Sequence, residues 1–125
     1  FWFLQSTAGI KSEIFGTPTD VITPGDYDGD GKTDLAVVRG SAGTIQWWHR
    51  RSSDNAVIGT TFGASATDFP VPGDYDGDGK TDPGVWRSSV TPGATAFWYL
   101  GSTSGAATAQ WGQQGDYPVA NTFTF

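Results

Sequence analysis

At 125 residues, the chain is sized for one ordinary domain; it holds 18 Gly, 7 Pro, no Cys and one His, with a formal net charge of −6. The missing cysteines exclude disulfides, thiolate metal sites and cysteine nucleophiles, and the single His49 leaves little scope for zinc or histidine-triad chemistry. The excess acid is confined to Asp26 to Asp34 and Asp74 to Asp82, while the remainder is balanced and no apolar run approaches membrane-spanning length, so neither nucleic-acid binding nor membrane insertion is expected.

In chain order, Phe1-Trp-Phe-Leu4 opens a short stretch that answers Phe97-Trp-Tyr-Leu100 much further on. Residues 1–19 therefore read as the last two strands of a repeat whose next copies follow. The repeat itself is unambiguous. Pro24-Gly-Asp-Tyr-Asp-Gly-Asp-Gly-Lys-Thr-Asp34 recurs unchanged from Pro72 to Asp82, an offset of 48 residues. Asp20, Val37 and Arg39 match Asp68, Val85 and Arg87 at the same offset, and Asp116-Tyr-Pro-Val119 begins a third copy.

Residues 20–67 and 68–115 are thus two full units, and 116–125 is a closing strand. The first full unit predicts four strands near 20–26, 34–39, 44–51 and 56–62, rich in Val, Ile, Thr, Phe and Trp and separated by Gly, Pro and Asp turns. Leu35-Ala-Val-Val38 is apolar on both faces, which a sheet covered on both sides requires. Four-stranded antiparallel units of this length imply an all-β fold of β-propeller blades, with about 2.6 repeats of 48 residues in an incomplete ring. Open sheet edges seek partners, so other protein chains, or copies of this one in a ring or filament, are expected to complete it.

Within each identical stretch, Asp26, Asp28, Asp30 and Asp34, and again Asp74, Asp76, Asp78 and Asp82, stand at positions 1, 3, 5 and 9 of a tight loop. Alternating carboxylates with a glycine at position 6 and a backbone carbonyl at position 7 form a cage for a hard cation. This assigns Gly31 and Gly79 to the turn and the carbonyls of Lys32 and Lys80 to the ligand set. Oxygen-only donors favour calcium, at two sites. The competing reading is an acidic solvated turn. An EF-hand requires Glu at position 12, where Val37 and Val85 stand.

These loops, with Phe15-Gly16 and Phe62-Gly63 before them and Ala-Val-Val-Arg and Gly-Val-Trp-Arg after them, resemble the FG-GAP and VCBS repeat family. The resemblance implies propeller blades with calcium between the first two strands, in a secreted or cell-surface protein of structural, adhesive or assembly function, and implies no enzymatic activity. In the last unit Thr122 and Thr124 replace acidic positions, so no third calcium site is expected.

Trp2, Trp47, Trp48, Trp86, Trp98 and Trp111 are expected mostly to fill the space between blades, with one of the adjacent Trp47 and Trp48 exposed. The alternative is that they form sugar-stacking platforms of a carbohydrate-binding propeller, which would make glycans the partners. His49-Arg50-Arg51 reads as a charged sheet edge, or as a contact for an acidic glycan or partner chain.

Overall fold

The computed structural model describes residues 1–119. Ten strands and no helix are found among them: β1 (Trp2–Gln5), β2 (Gly9–Ser12), β3 (Val21–Ile22), β4 (Leu35–Ser41), β5 (Thr44–Arg50), β6 (Val57–Ala64), β7 (Asp68–Pro70), β8 (Gly84–Arg87), β9 (Ala96–Gly101) and β10 (Gly105–Gln110). They form a two-stranded sheet, β1-β2, and two four-stranded antiparallel sheets, β3-β4-β5-β6 and β7-β8-β9-β10. Each is a meander in which consecutive strands are neighbours, the form of a propeller blade. Thr122 and Thr124 lie outside the described residues, and 116–119 form no strand.

The first strand of each four-stranded sheet is shorter than expected. Proline at 24 has no amide to donate, so regular pairing stops at Ile22. Contact with β4 nonetheless continues: Thr23 donates to the Ala36 carbonyl at 2.9 Å, and Gly25 bridges Asp34. Val71 and Gly84, and Gly73 and Asp82, repeat these contacts in the next sheet.

The two large sheets pack against each other. Val38, Ile45 and Trp47 of the first form one buried cluster with Val85 of the second, and Phe62 lies against it. The alternation in β5 turns the tryptophan pair to opposite faces, but neither is exposed as expected: Trp47 is 2% exposed, and Trp48 is half-buried because its ring lies over Gly59, which has no side chain to hold it off. Trp86 is also buried, but Trp2 and Trp111 are 80% and 77% exposed and Trp98 is half-exposed, so interior packing describes half of the tryptophans and not most of them. Trp2 and Trp98 occupy the register of Trp48, and Trp2 sits on a two-stranded sheet beside an open cleft. The physical reason is the pleat: strand equivalence repeats a side chain's direction but supplies nothing to cover it.

Within each large sheet an ion pair ties the first strand segment to the second. Arg39 pairs with Asp20 at 2.7 and 2.8 Å, and Arg87 with Asp68 at 2.6 and 2.8 Å, each through two parallel hydrogen bonds. Both carboxylates are essentially sealed from solvent. Asp68 also accepts the Ala64 amide and the Thr67 hydroxyl. Burial alone would raise the Asp68 carboxyl, yet Arg87 and these donors outweigh it and hold it below the ordinary value. Its contribution to stability is therefore present above about pH 4, the ordinary carboxyl value, and is lost as pH falls through the lowered folded value. Arg87→Ala should cost about 3 kcal/mol at neutral pH, because it strands a buried charge, and the deficit should shrink on acidification. Urea unfolding at pH 7 and pH 3 checks both signs; an equal deficit at the two pH values would contradict them.

Thr23 and Val71 occupy equivalent, 1% exposed places, but the Thr23 hydroxyl finds no hydrogen-bond partner among the described residues. Thr23→Val should therefore raise stability by about 1 kcal/mol, since it removes an unsatisfied buried hydroxyl at nearly constant volume. A thermal midpoint that falls would contradict this.

Candidate metal centre

Each aspartate loop is a hairpin connection between the first two strands of its sheet, and its two ends are joined by the Gly25–Asp34 and Gly73–Asp82 bridges. The expected turn glycines adopt φ of +81° at Gly31 and +84° at Gly79, a conformation that side-chain-bearing residues rarely tolerate. Here the backbone amides turn inward onto carboxylates. Asp26 accepts Gly29 and Asp30 amides on one oxygen, at 2.7 and 3.1 Å, and the Gly31 amide on the other at 2.8 Å. Asp74 accepts the Gly77, Asp78 and Gly79 amides in the same manner, at 2.8, 3.1 and 2.9 Å.

Carboxylate oxygens converge in both loops. Asp26, Asp28 and Asp34 bring oxygens within 4.8 Å of one another in the first, and Asp74, Asp76 and Asp78 do so in the second. Asp30 and Asp82, also expected in the cage, fall outside these two groups. Asp30 is turned to the Lys32 amide and the Ser52 hydroxyl, whereas Asp82 is fully buried and accepts the Tyr75 and Ser102 amides. Lys32 and Lys80 stand at the expected position, their amides donating to Asp30 and Asp78 at 2.8 Å. An oxygen-only set of clustered carboxylates fits a hard divalent cation, which would offset their mutual repulsion.

The fixed point of the first loop is Asp34, 0% exposed, whose oxygens take the Tyr27 and Ser52 amides at 2.8 and 2.7 Å. It ties the loop to the β5-β6 turn as Asp82 ties the second loop to the β9-β10 turn. Those turns also supply hydroxyls, which sequence reasoning missed. Ser52 and Ser53 donate to Asp30 and Asp28, and Ser102 and Thr103 donate to Asp78 and Asp76. The signal was a Ser-Ser or Ser-Thr pair in the turn that follows the third strand of each sheet. It recurs at 50 residues rather than 48, because the stretch between the paired Arg87 and Ala96 holds two more residues than that between the matching pair, Arg39 and Gln46.

These donors set the acidity of the carboxyls. The Ser53 hydroxyl holds Asp28 below its ordinary value. Desolvation would raise Asp76, but the Thr103 amide and hydroxyl and the Ser104 amide outweigh it and lower it to about 2. Desolvation prevails at Asp82, whose carboxyl is raised. Tyr27 and Tyr75 brace the loops from inside, each hydroxyl donating to a carbonyl of the preceding strand segment, at 2.8 Å to Thr23 and 2.6 Å to Val71. Burial pushes the Tyr75 hydroxyl up to about 12.

The profile of the FG-GAP-like repeat family matches residues 9–82, a span that takes in both loops. The chain belongs to this family. No curated protein and no solved structure matches it. In this FG-GAP-like chain the two Phe-Gly pairs and the matching Trp111-Gly112 have a local role that the geometry makes plain. Gly16, Gly63 and Gly112 all have positive φ, and each is followed by an amide that donates to an aspartate: Thr17 to Asp20, Ala64 to Asp68 and Gln113 to Asp116. A side chain at Gly63 would also meet Val85 at 2.9 Å, so the residue is small where the two sheets touch.

The basic cluster of the FG-GAP-like chain is engaged internally. His49 stacks on Tyr27 with ring centroids 4.7 Å apart, Arg50 pairs with Glu13 at 3.1 Å, and Arg51 pairs with Asp54. Tyr99 stacks on Tyr75 at the position of His49, so an aromatic ring and not a charge is what that place requires.

Proposed function

We propose that the chain is a non-enzymatic β-propeller module of a secreted or cell-surface protein, its blades pinned by calcium, with a structural, adhesion or assembly role. The observation that carries this reading is the convergence of three carboxylates in each of two equivalent loops. Asp26, Asp28 and Asp34 would hold one ion and Asp74, Asp76 and Asp78 the other; Asp30, Asp82 and the carbonyls of Lys32 and Lys80 complete the proposed sets. Bound calcium supplies charge neutralisation and oxygen coordination, not a reactive group. The chain's own residues do the positioning: loop amides orient the first aspartate, and the Ser52, Ser53, Ser102 and Thr103 hydroxyls orient the others. The family is generally non-enzymatic, and its repeats occur typically in extracellular proteins, where calcium is abundant. No helix among the described residues is long and apolar enough to cross a membrane. The partners implied are other protein chains, or copies of this one, that pair with open sheet edges.

With dissociation constants of ~0.1 mM, in the range of extracellular calcium modules, ~1 mM calcium should add about 1.4 kcal/mol per site. For two sites this raises the thermal midpoint by about 10 °C over chelated protein. Circular dichroism melts in 1 mM calcium and in excess EGTA test it; coincident melts would reject calcium as the pin.

A further inference from the structure

The two aspartate loops touch. Thr81, between Lys80 and Asp82 of the second loop, donates its amide to the carbonyl of Asp26, the first residue of the first loop, at 2.6 Å. Its side chain fills the space beside Gly25, where a Cβ would meet the Thr81 Oγ1 at 2.6 Å and Cγ2 at 2.8 Å. The Lys80 stem lies along Gly29, within 3.1 Å of where a Cβ would stand. Lys32 and Thr33, which have the same neighbours in the chain, have no earlier aspartate loop to lie against and are exposed, whereas Lys80 and Thr81 are half-buried.

We infer that Thr81 is a positioning residue that couples the two cation sites, so that occupation of either loop raises the affinity of the other. This rests on the calcium reading above. The carboxylate of Asp26 is aimed by a backbone whose carbonyl is held by Thr81, and Thr81 is held in turn by the second loop through the Asp82 amide bond to Gly73 at 2.7 Å. An ion that orders Asp74, Asp76 and Asp78 thus fixes the anchor of Asp26, and by linkage an ion in the first loop returns the same factor to the second.

The test is isothermal titration calorimetry of the full chain with calcium. In the unmodified chain two ions should bind. Disabling the second loop by Asp74→Asn with Asp76→Asn should weaken the remaining site about five-fold or more, and Asp26→Asn with Asp28→Asn should weaken the second site by the same factor. Gly25→Ala leaves every carboxylate in place, and its backbone is not in the left-handed region, so only the clash with Thr81 acts. It should still bind two ions, each with the affinity of the corresponding single-loop variant. If Gly25→Ala does not fold by circular dichroism, the two loop variants alone decide through their reciprocal factors. Two ions bound independently in the unmodified chain would overturn the coupling while leaving the calcium reading intact; no calcium binding at all would overturn both.

Discussion

Truncating Trp47 to alanine should cost about 4 kcal/mol, the largest loss of any single substitution in this chain. Two effects coincide there. The indole is 2% exposed and belongs to the cluster of Val38, Ile45 and Val85 that joins the two large sheets, so alanine leaves a cavity between them. Its Nε1 donates to the Phe62 carbonyl at 2.8 Å, so the substitution also leaves that acceptor without its partner. Because Val85 comes from the second sheet, the loss should appear in both sheets as one transition rather than as selective melting of the first. Trp47→Phe retains most of the apolar area and should cost about half as much. Urea unfolding followed by fluorescence and by circular dichroism checks the prediction. A loss below about 2 kcal/mol, or separate transitions for the two probes, would show that the sheets are stabilised independently.

The second large effect separates a proposed ligand that also builds the loop from one that serves only the ion. Asp34→Ala should destabilise the chain by about 3 kcal/mol even in EGTA, because it strands the Tyr27 and Ser52 amides at a buried position. Asp28→Asn should do little in EGTA. That side chain is half-exposed, and asparagine keeps an oxygen able to accept the Ser53 hydroxyl or the Asp30 amide. In 1 mM calcium, Asp28→Asn should lose the stabilisation of the first site, about 1.4 kcal/mol at the affinity assumed above. Comparing the two variants with and without calcium therefore distinguishes a residue that builds the loop from one that serves only the ion. Equal behaviour of the pair in EGTA would refute the distinction.

What was legible in the sequence was whatever repeats at fixed spacing. The strands expected at 34–39, 44–51 and 56–62 are found at Leu35–Ser41, Thr44–Arg50 and Val57–Ala64, because alternation and turn residues act locally. The aspartate loops were legible for the same reason. The hydroxyls of Ser52, Ser53, Ser102 and Thr103 were not, since they reach the loops across more than 20 residues and their spacing is displaced by the longer second connection. The fate of Trp2 and Trp111 was equally hidden: direction along a strand is periodic, but cover depends on which surface lies opposite. The burial of Lys80 and Thr81, against the exposure of Lys32 and Thr33, makes the same point for identical local sequence.

The two extra residues between Arg87 and Ala96 end the β8-β9 ladder early, with no counterpart of the Gly40–Ile45 and Ser41–Thr44 pairs, but leave the rest in register: Arg87 faces Ala96 as Arg39 faces Gln46. The connection that absorbs them, Ser88 to Thr95, projects mainly into solvent, with Val90 77% exposed, while Thr95 closes its base through hydrogen bonds with Ser89. Length is therefore a free variable at this corner of the repeat. A foreign peptide grafted between Val90 and Ala94 would be displayed from a fixed base at the rim opposite the aspartate loops, which makes the chain a scaffold as well as a module.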